Sequence, residues 1–286
     1  MTGEPFRPLY PVNYRHHFHA GNVADVFKHL VLTQVLEALR LKETPFCVID
    51  THAGSGRYRL KTPGEFEQGI GRLWSARAAW PGLHHYFELL APLNESALSV
   101  YPGSPWLIRA LLRPQDRAVF FERHPEEVAA LRNTLRGCRG ITINEADAWA
   151  ALAGLLPPQE NRGLVFIDPP YEQPDEFNQV ARALKAGLAR WRNGMYFVWY
   201  PIKARRPVEQ LHARVRALAT EALAVEFLTL PEDVPQRLNG SGVLLINPPW
   251  KLEETLRTQL PPLAKFLAAA HGAPQVRFVD LATTKT

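Results

Sequence analysis

Short apolar runs alternate with amphipathic segments along the whole chain, and this alternation constrains the fold more than any other feature. The runs are FCVID (46–50), AVFFE (118–122), ITINE (141–145), LVFID (164–168), YFVWY (196–200) and VLLIN (243–247), with AVEFL (224–228) as a weaker seventh. Runs of this length and composition are typical of strands buried on both faces of a parallel sheet. Because helical patterns such as 25–42 and 125–136 lie between them, we predict a doubly wound α/β fold with a mostly parallel sheet.

The spacing of the runs also predicts how the chain is divided. The stretch from Asp50 to Ala118 is too long for one crossover, and it contains helical patterns around 66–79 and 84–90. We therefore predict three segments. Residues 1–56 form an N-terminal substrate and cofactor segment with the start of the main domain, 57–101 an inserted helical subdomain, and 102–286 the remainder. The tail, 271–286, is predicted to be irregular. The connection between AVEFL and VLLIN is short and holds no helix, so VLLIN should be an antiparallel strand.

Composition restricts the class of protein. Cys47 and Cys138 are the two cysteines of 286 residues, and no CxxC occurs, so a disulfide scaffold and a cysteine zinc site are excluded. A reducing, cytoplasmic location fits best. No run of 18 uncharged apolar residues predicts a membrane span. The N-terminus lacks the apolar core of a signal peptide.

The positive charge is concentrated in one stretch. The net charge is +5, and nine Lys and Arg lie between Arg182 and Arg216 against one acid, Glu209. Trp191 and Trp199 lie in the same stretch. Such a surface can neutralise phosphates and stack bases, or it can be a solvated helix beside a buried aromatic strand. Composition alone leaves both interpretations open.

A glycine-rich loop, DTHAGSG (50–56), follows the first strand. Glycines such as Gly54 let the backbone turn tightly and approach a ligand. A dinucleotide site requires a third glycine where this chain has Arg59, and a P-loop requires GK[ST], which is absent. The loop instead suits S-adenosylmethionine, which has no phosphate. A tight turn without a ligand is the alternative.

The motif DPPY, formed by Asp168, Pro169, Pro170 and Tyr171, lies at the end of another strand. Ligands of open α/β sheets bind outside such ends. The prolines remove two N–H donors, so the Asp168 carboxylate and a carbonyl remain as acceptors for an amino group, and Tyr171 offers a flat face for a planar base. Transfer of a methyl group to an exocyclic amine fits this arrangement. A proline-capped loop with a packed tyrosine is the structural alternative.

A near copy, Asn247-Pro248-Pro249-Trp250, follows VLLIN and fits the same pattern. Topology separates the two motifs. Because the strand predicted for VLLIN is antiparallel, Asn247 at its end would lie beside the amino ends of the parallel strands, away from Asp168. We therefore predict that Asp168, and not Asn247, is catalytic.

Two further acids close predicted strands. Glu122 ends AVFFE and could accept from both ribose hydroxyls of a cofactor, and Asp147, after ITINE, could accept from its adenine amine. The spacing from the glycine-rich loop to Glu122 far exceeds the usual 20 or so residues, and the insertion accounts for the excess. Either acid could instead cap the helix that follows it.

The N-terminal segment is rich in histidine. It lacks a paired carboxylate and the HExxH spacing, so we predict no metal site. One interpretation is an amphipathic helix capped by Asn22, with Val26, Leu30 and Leu36 facing inward. The other is a polar set that closes over the cofactor or contacts RNA, whose members are Tyr14, His16, Lys28 and His29.

Taken together, five segments resemble the 23S ribosomal RNA adenine-N6 methyltransferase family. They are YRHHFHAGNVADVFKH (14–29), DTHAGSGRY (50–58), YPGSP (101–105), RGLVFIDPPYE (162–172) and INPPWKLE (246–253). The resemblance spans nearly the whole chain, and the N-terminal block is specific to that family. It implies a Rossmann-like methyltransferase with a seven-stranded sheet and an inserted helical subdomain, S-adenosylmethionine as methyl donor, and an adenine of 23S ribosomal RNA, protein-free or in early assembly, as acceptor. A cytoplasmic monomer is expected.

The resemblance also implies roles for individual residues. Asp168 is the catalytic acceptor within DPPY. The expected cofactor contacts are His29, His52, Gly54, Ser104, Glu122, Asp147, Ala148 and Asp168. Tyr14 is expected at the substrate RNA, with His16 and Lys28 near the target base. We predict that Asp168→Ala abolishes transfer with the fold intact, and that charge reversal at Arg205 and Arg206 weakens RNA binding.

Two rival functions remain. A DNA adenine methyltransferase would use the same chemistry, but no added target-recognition domain is visible between 172 and 286. A nonenzymatic RNA-binding protein on a methyltransferase scaffold is disfavoured by the intact DPPY and glycine-rich motifs. Binding of S-adenosylmethionine without turnover would support that second rival.

Overall fold

The computed structural model describes residues 18–219, 221–232, 234, 237–268 and 272–282. Within these ranges the strands are β1 (Cys47–Asp50), β2 (Arg57–Arg59), β3 (Val100–Pro102), β4 (Arg117–Glu122), β5 (Ile141–Glu145), β6 (Gly163–Ile167), β7 (Met195–Ile202), β8 (Ala222–Leu228), β9 (Gly240–Ile246) and β10 (Gln275–Asp280). The α-helices are α1 (Val23–Arg40), α2 (Ile70–Ser75), α3 (His84–Leu90), α4 (Ser104–Leu111), α5 (Pro125–Thr134), α6 (Ala148–Ala151), α7 (Glu176–Arg190), α8 (Arg205–Arg216) and α9 (Leu252–Leu267).

The main sheet has the order β10-β8-β9-β7-β6-β1-β4-β5. The pairs that join β5, β4, β1, β6 and β7 are all parallel, and β9 is antiparallel to both β7 and β8. The predicted α/β class with a mostly parallel sheet is confirmed, as is the antiparallel direction of the VLLIN strand.

The sheet differs from the prediction at its two edges. It has eight strands where seven were predicted, because β10 pairs antiparallel with β8 in the segment predicted as an irregular tail. The alternation of polar and apolar residues in QVRFVD (275–280) suits an edge strand of this kind. At the other edge β5 is only partly buried, so the predicted burial on both faces is wrong for this strand. An edge strand has a neighbour on one side and less cover from helices.

Helix α1 lies against the sheet and is buried along most of its length. Its N-cap is Asn22, whose side chain accepts from the backbone N–H of Asp25 at 2.9 Å, as predicted. Val26, Leu30 and Leu36 are fully or almost fully buried, which confirms the inward face. This packing holds the polar residues of α1 in fixed positions beside the carboxyl ends of the strands.

Residues 57–102 form a small unit of their own secondary structure. β2 pairs antiparallel with β3, and α2 and α3 lie between them in sequence. α3 has the predicted bounds, whereas the helix predicted over 66–79 is reduced to α2, with 3₁₀ turns at 65–67 and 77–79. The unit contacts the main fold through the rings of Trp80 and Phe266, which meet edge to face with centroids 5.4 Å apart. The boundaries at 57 and 101 stay a prediction.

The strand order contains a point where the chain reverses its direction across the sheet. β1 lies between β4 and β6, so successive connections from this centre run to opposite sides. The crevice outside the carboxyl ends at such a point is where ligands of open α/β sheets bind.

Among the described residues, no helix is long and apolar enough to cross a membrane.

Candidate active site

The glycine-rich loop follows β1 and the DPPY motif follows β6, the two neighbouring strands that border this crevice. In the parallel ladder Asp50 is aligned with Phe166, so His52 and Asp168 each lie two residues beyond the same step. The backbone N–H and the hydroxyl of Thr51 both donate to the carbonyl of Phe166, at 3.0 and 3.1 Å. The two motifs are therefore joined directly.

Asp50 is fully buried at the start of the loop. Its Oδ2 accepts from the Ser104 hydroxyl at 2.7 Å, and its Oδ1 accepts from the backbone N–H of His52 at 3.1 Å. Burial raises the pKa of Asp50 to about 7, although these two hydrogen bonds lower it in part. Ser104 begins α4 and thus contacts the loop through Asp50. The sequence analysis placed Asp50 in the glycine-rich loop but assigned it no role in the site.

His52 lies half-buried on the other side of the loop. Its Nδ1 is 2.8 Å from the Thr51 hydroxyl, and its ring lies 5.0 Å from the ring of Trp149. Burial, with a smaller contribution from the charge of Arg123, lowers the pKa of His52 to about 3. The imidazole is therefore neutral near pH 7 and can serve as a planar, uncharged wall for a ligand.

Glu122 closes β4 directly beside the loop. Its Oε2 accepts from the Gly54 N–H at 2.9 Å, and its Oε1 accepts from the His124 N–H at 2.8 Å. Gly54 has φ +60°, and a Cβ at this position would overlap the Tyr58 hydroxyl. The two N–H groups fix the carboxylate, and each of its oxygens retains a further lone pair.

Asp147 and Ala148 follow β5. Asp147 is exposed and is the N-cap of α6, because its side chain accepts from the Trp149 N–H at 2.8 Å. Ala148 is buried beneath it. The capping alternative is thus realised, and the cofactor contact of this pair stays a prediction.

Asp168 forms a buried chain of charges with α1. Lys28 Nζ lies 2.7 Å from Asp168 Oδ2 and 2.8 Å from Asp25 Oδ1. Burial lowers the pKa of Lys28, but attraction to Asp168 and Asp25 outweighs it, so the net pKa is raised above its ordinary value. Lys28 is therefore a permanent cation. Within the described part of the chain, the second oxygen of Asp168 carries no hydrogen bond.

Tyr171 packs against two aromatic rings. Its hydroxyl donates to the Trp199 carbonyl at 2.9 Å, and its ring centroid lies 4.7 Å from that of Phe177. Its φ of +52° follows the two prolines, with Pro169 buried and Pro170 half-buried. The packed tyrosine of the structural alternative is thus present, and the packing fixes the ring beside Asp168.

Trp199 is a second residue that the sequence analysis did not assign to the site. It lies on β7 one step beyond Val198, which pairs with Ile167, so it is level with Asp168. Lys28 Nζ lies 5.5 Å from its ring centroid. Its indole N–H is buried without a hydrogen-bond partner among the described residues. The sequence signal was its position in a strand adjacent to the DPPY strand.

His29 follows Lys28 in the sequence, and its described hydrogen bond runs to the inserted unit. Its Nδ1 is 3.0 Å from the Tyr101 hydroxyl, which lies 2.8 Å from that of Tyr86. This buried network ties α1 to the inserted unit. The cofactor contact predicted for His29 stays a prediction, and Tyr14 and His16 lie outside the described residues.

The second motif lies at the amino ends of the parallel strands, opposite the ends that carry Asp168. Asn247 donates to the carbonyls of Arg192 and Gly194 at 2.8 and 2.7 Å, in the turn that precedes β7. Its side chain therefore fixes a turn. Trp250 is 86% exposed there. The separation of the two motifs by topology is confirmed.

One predicted RNA contact needs correction. Arg205 donates from both terminal nitrogens to the fully buried Glu226, at 2.6 and 2.8 Å, and one of them also donates to Glu232 at 2.7 Å. Charge reversal at Arg205 would disrupt this network, so it tests stability and not RNA binding. Arg206 is exposed. Among the described residues, no group of His, Cys, Asp and Glu is arranged to hold a metal ion.

Comparison with known proteins decides the family. A family model described as ribosomal RNA large subunit methyltransferase D, RlmJ, matches residues 43–280. The chain belongs to this family. Ribosomal RNA large subunit methyltransferase J of Haemophilus influenzae is 39% identical over 264 residues, 90% of this chain and 94% of that protein. The protein of the same name from Escherichia coli is 37% identical over 276 residues, 94% of this chain and 99% of that protein.

Two solved structures share the fold of this chain. A crystal structure of a Legionella pneumophila protein has a TM-score of 0.86 and 32% identity, and the match covers 93% of this chain and 99% of that one. A probable spermidine synthase from Corynebacterium glutamicum has a TM-score of 0.50 at 10% identity, over 89% of this chain and 74% of that one, and shares the fold alone. The predicted family and methyltransferase class are confirmed.

Proposed function

We propose that this RlmJ-family enzyme transfers a methyl group from S-adenosylmethionine to N6 of an adenine in 23S ribosomal RNA. One observation carries the proposal. The glycine-rich loop and the DPPY motif meet at the reversal point of the sheet, where the alignment of Asp50 with Phe166 brings His52 and Asp168 to the same level.

The residues at this edge fit such a cofactor. S-adenosylmethionine, when bound, supplies an electrophilic methyl group on a positively charged sulfonium and carries no phosphate. The buried or partly buried carboxylates of Glu122 and Asp168 suit a cation. Glu122, fixed by two backbone N–H groups, has lone pairs to accept from ribose hydroxyls. His29, His52, Gly54, Ser104, Asp147 and Ala148 would complete the site.

Asp168 prepares the acceptor nitrogen. The exocyclic amine of adenine is a poor nucleophile because its lone pair is delocalised into the ring. Hydrogen bonds from its N–H groups to the Asp168 carboxylate and to a carbonyl of the motif localise that lone pair. The amine must lose one proton when it is methylated, and Asp168 is the acceptor positioned to take it.

Lys28 is the positioning residue for this carboxylate. Its ammonium holds Oδ2 of Asp168, and the second oxygen is left for the target amine. Asp25 shares the same ammonium, so Lys28 stays charged and fixed whether or not the base is bound. From the resemblance, Tyr14 would contact the substrate RNA and His16 would lie near the target base.

The target adenine has to leave its stack to reach Asp168. Unstacking costs a few kcal/mol, and least in single-stranded loops, so an unpaired adenine of protein-free or early-assembly 23S RNA is the expected substrate. The enzyme is expected to act in the cytoplasm as a monomer, and light scattering of the purified chain tests the latter.

The test compares methyl transfer to three polymers. Purified enzyme and labelled S-adenosylmethionine are incubated with protein-free 23S RNA, 16S RNA and duplex DNA, and nucleoside mass spectrometry locates the methyl group. We expect one N6-methyladenosine per 23S molecule and background levels in the other two. Equal or greater incorporation into duplex DNA would favour the DNA methyltransferase. Binding of S-adenosylmethionine without transfer to any polymer would favour a nonenzymatic RNA-binding protein.

A further inference from the structure

Helices α7 and α8 enclose a groove with a cavity volume of about 580 Å³. Arg182 and Lys185 line it from α7, and Arg214 lines it from the last turn of α8. All three side chains are exposed. The single stretch of positive charge in the sequence is thus divided by the fold. Arg205 lies in a partly buried ion-pair network, whereas these three exposed cations line one groove.

The charges of the groove are not neutralised by its own residues. Arg182 is 2.6 Å from Asp175, which is half exposed, and the hydrogen bond from Arg182 lowers the pKa of that carboxyl. Arg214 donates to the neutral amide of Asn178. Lys185 has no hydrogen bond or ion pair to any described residue. Three cations therefore face one carboxylate, which leaves a net charge of about +2.

The residues that line the groove favour a sugar–phosphate backbone over stacked bases. The remaining lining residues are Ala181, Ala217, Leu218 and Asn178, so the described lining contains no aromatic ring on which a base could stack. From Asn178, which holds Arg214, to Lys185 the helix rises about 10 Å. The groove is therefore long enough to contact more than one backbone phosphate of an RNA strand.

The first turn of α7, which lines one part of the groove, lies beside the DPPY motif. Phe177 precedes Asn178 on the first turn of α7, and its ring packs on Tyr171 of the DPPY motif with centroids 4.7 Å apart. Asp175, which contacts Arg182, lies four residues after Tyr171. An RNA strand that delivers a base to Asp168 can therefore pass from the DPPY loop onto the groove.

We propose that the groove formed by Arg182, Lys185 and Arg214 binds the backbone phosphates of the RNA strand that flanks the target adenine. This inference rests on the proposed function for its partner. It makes the groove an affinity site separate from the reacting groups. Loss of its charge should weaken RNA binding without slowing the methyl transfer step of the bound complex.

The test uses a charge-neutral groove variant and a matched control. Lys185→Gln with Arg214→Gln removes two exposed cations from the groove. Arg136→Gln with Arg139→Gln removes two exposed cations from the turn before β5, at the edge of the sheet away from Asp168. Neither pair includes a residue of the candidate active site. Thermal unfolding of both variants should match the wild type, which shows that they fold.

Filter binding of a 23S RNA fragment against KCl concentration gives the decisive readout. We expect the groove variant to bind RNA on the order of tenfold more weakly at 0.15 M salt. The slope of log K against log salt concentration should be about 1.4 smaller in magnitude, because each lost phosphate contact with a single strand releases about 0.7 fewer counterions and two contacts are lost. In methyl transfer, KM should rise similarly and kcat should stay within about twofold. The control variant should match the wild type in all of these.

The outcomes separate this inference from the proposed function. An unchanged salt slope in the groove variant, or an equal loss in the control, overturns the groove. A competition experiment gives a third outcome against the groove. If polyglutamate displaces the labelled RNA fragment from the wild type as effectively as unlabelled RNA does, and fails to do so with the groove variant, the groove serves an acidic protein and the proposal is overturned. Failure of the wild type to methylate any RNA overturns the proposed function, whereas the binding assay still tests the groove.

Discussion

Replacing Lys28 with methionine would leave two carboxylates facing each other without the cation that they share. The side chains of Asp25, Lys28 and Asp168 are only 5, 6 and 16% exposed, so water offers little compensation. Removing one partner of a buried pair costs about 3–5 kcal/mol, because a charge remains buried and unpaired. Methionine fills most of the lost volume, so we expect a value near the lower limit, about 3 kcal/mol.

The loss should depend on pH in a defined direction. In the variant, one of the two carboxyls should take up a proton to relieve the repulsion, and the unfolded chain does not hold that proton above about pH 4. A folded state that binds more protons than the unfolded state loses stability as the pH rises. The destabilisation relative to the wild type should therefore be largest at pH 8 and smaller at pH 5.

Thermal unfolding followed by circular dichroism at the two pH values measures both effects. For a chain of 286 residues the entropy of unfolding is about 0.6 kcal/mol/K, so about 3 kcal/mol corresponds to a Tm lower by roughly 5 °C. Lys265→Met, at an exposed position of α9, is the control and should change Tm little. A Lys28→Met protein with the Tm of the wild type, or with the same deficit at pH 5 and 8, would refute the buried chain of charges.

Three further substitutions test the loop and the DPPY motif. Gly54→Ala places a methyl group against the Tyr58 hydroxyl at a φ of +60°, so calorimetry should show S-adenosylmethionine affinity at least about tenfold lower, and unchanged affinity would contradict the close approach of the loop. Ser104→Ala removes a hydrogen bond that lowers the pKa of Asp50, so this pKa should rise in the variant. The pH profile of cofactor affinity should then shift to higher pH, and superimposable profiles would show that Asp50 is not part of the cofactor site. Tyr171→Phe loses one partly buried hydrogen bond, about 1 kcal/mol, but keeps the ring. Tm should therefore fall slightly while kcat persists, and loss of kcat would assign the hydroxyl a role in transfer.

The sequence predicts most of the sheet because strand signals are local. Runs of Val, Ile and Phe mark the buried strands, and the polar residues that end them lie at one edge once the strands are parallel. What local patterns do not contain is the neighbour of each strand. β5 reads like a buried strand but lies at an edge, and β10 reads like a tail but has β8 as a partner.

The same reason explains what was missed in the site. Asp50 is a site residue because Ser104 packs against it from 54 positions away, and Trp199 because β7 adjoins β6. Arg205 counts as a surface cation in any sum over the sequence, yet a buried glutamate 21 residues later accepts from it. Residue types and spacing predict the chemistry of a strand end, whereas pairing across the fold decides which charges remain available.

The most direct test of the account is methyl transfer by Asp168→Ala to protein-free 23S RNA, with cofactor binding and Tm measured on the same preparation. Lys28 keeps Asp25 as a partner in this variant, so the fold should persist. We expect S-adenosylmethionine to bind and kcat to fall by at least about 100-fold, because the amine has lost its acceptor. A folded, cofactor-binding variant that methylates adenine at close to the wild-type rate would contradict the assignment of Asp168 as the catalytic acceptor.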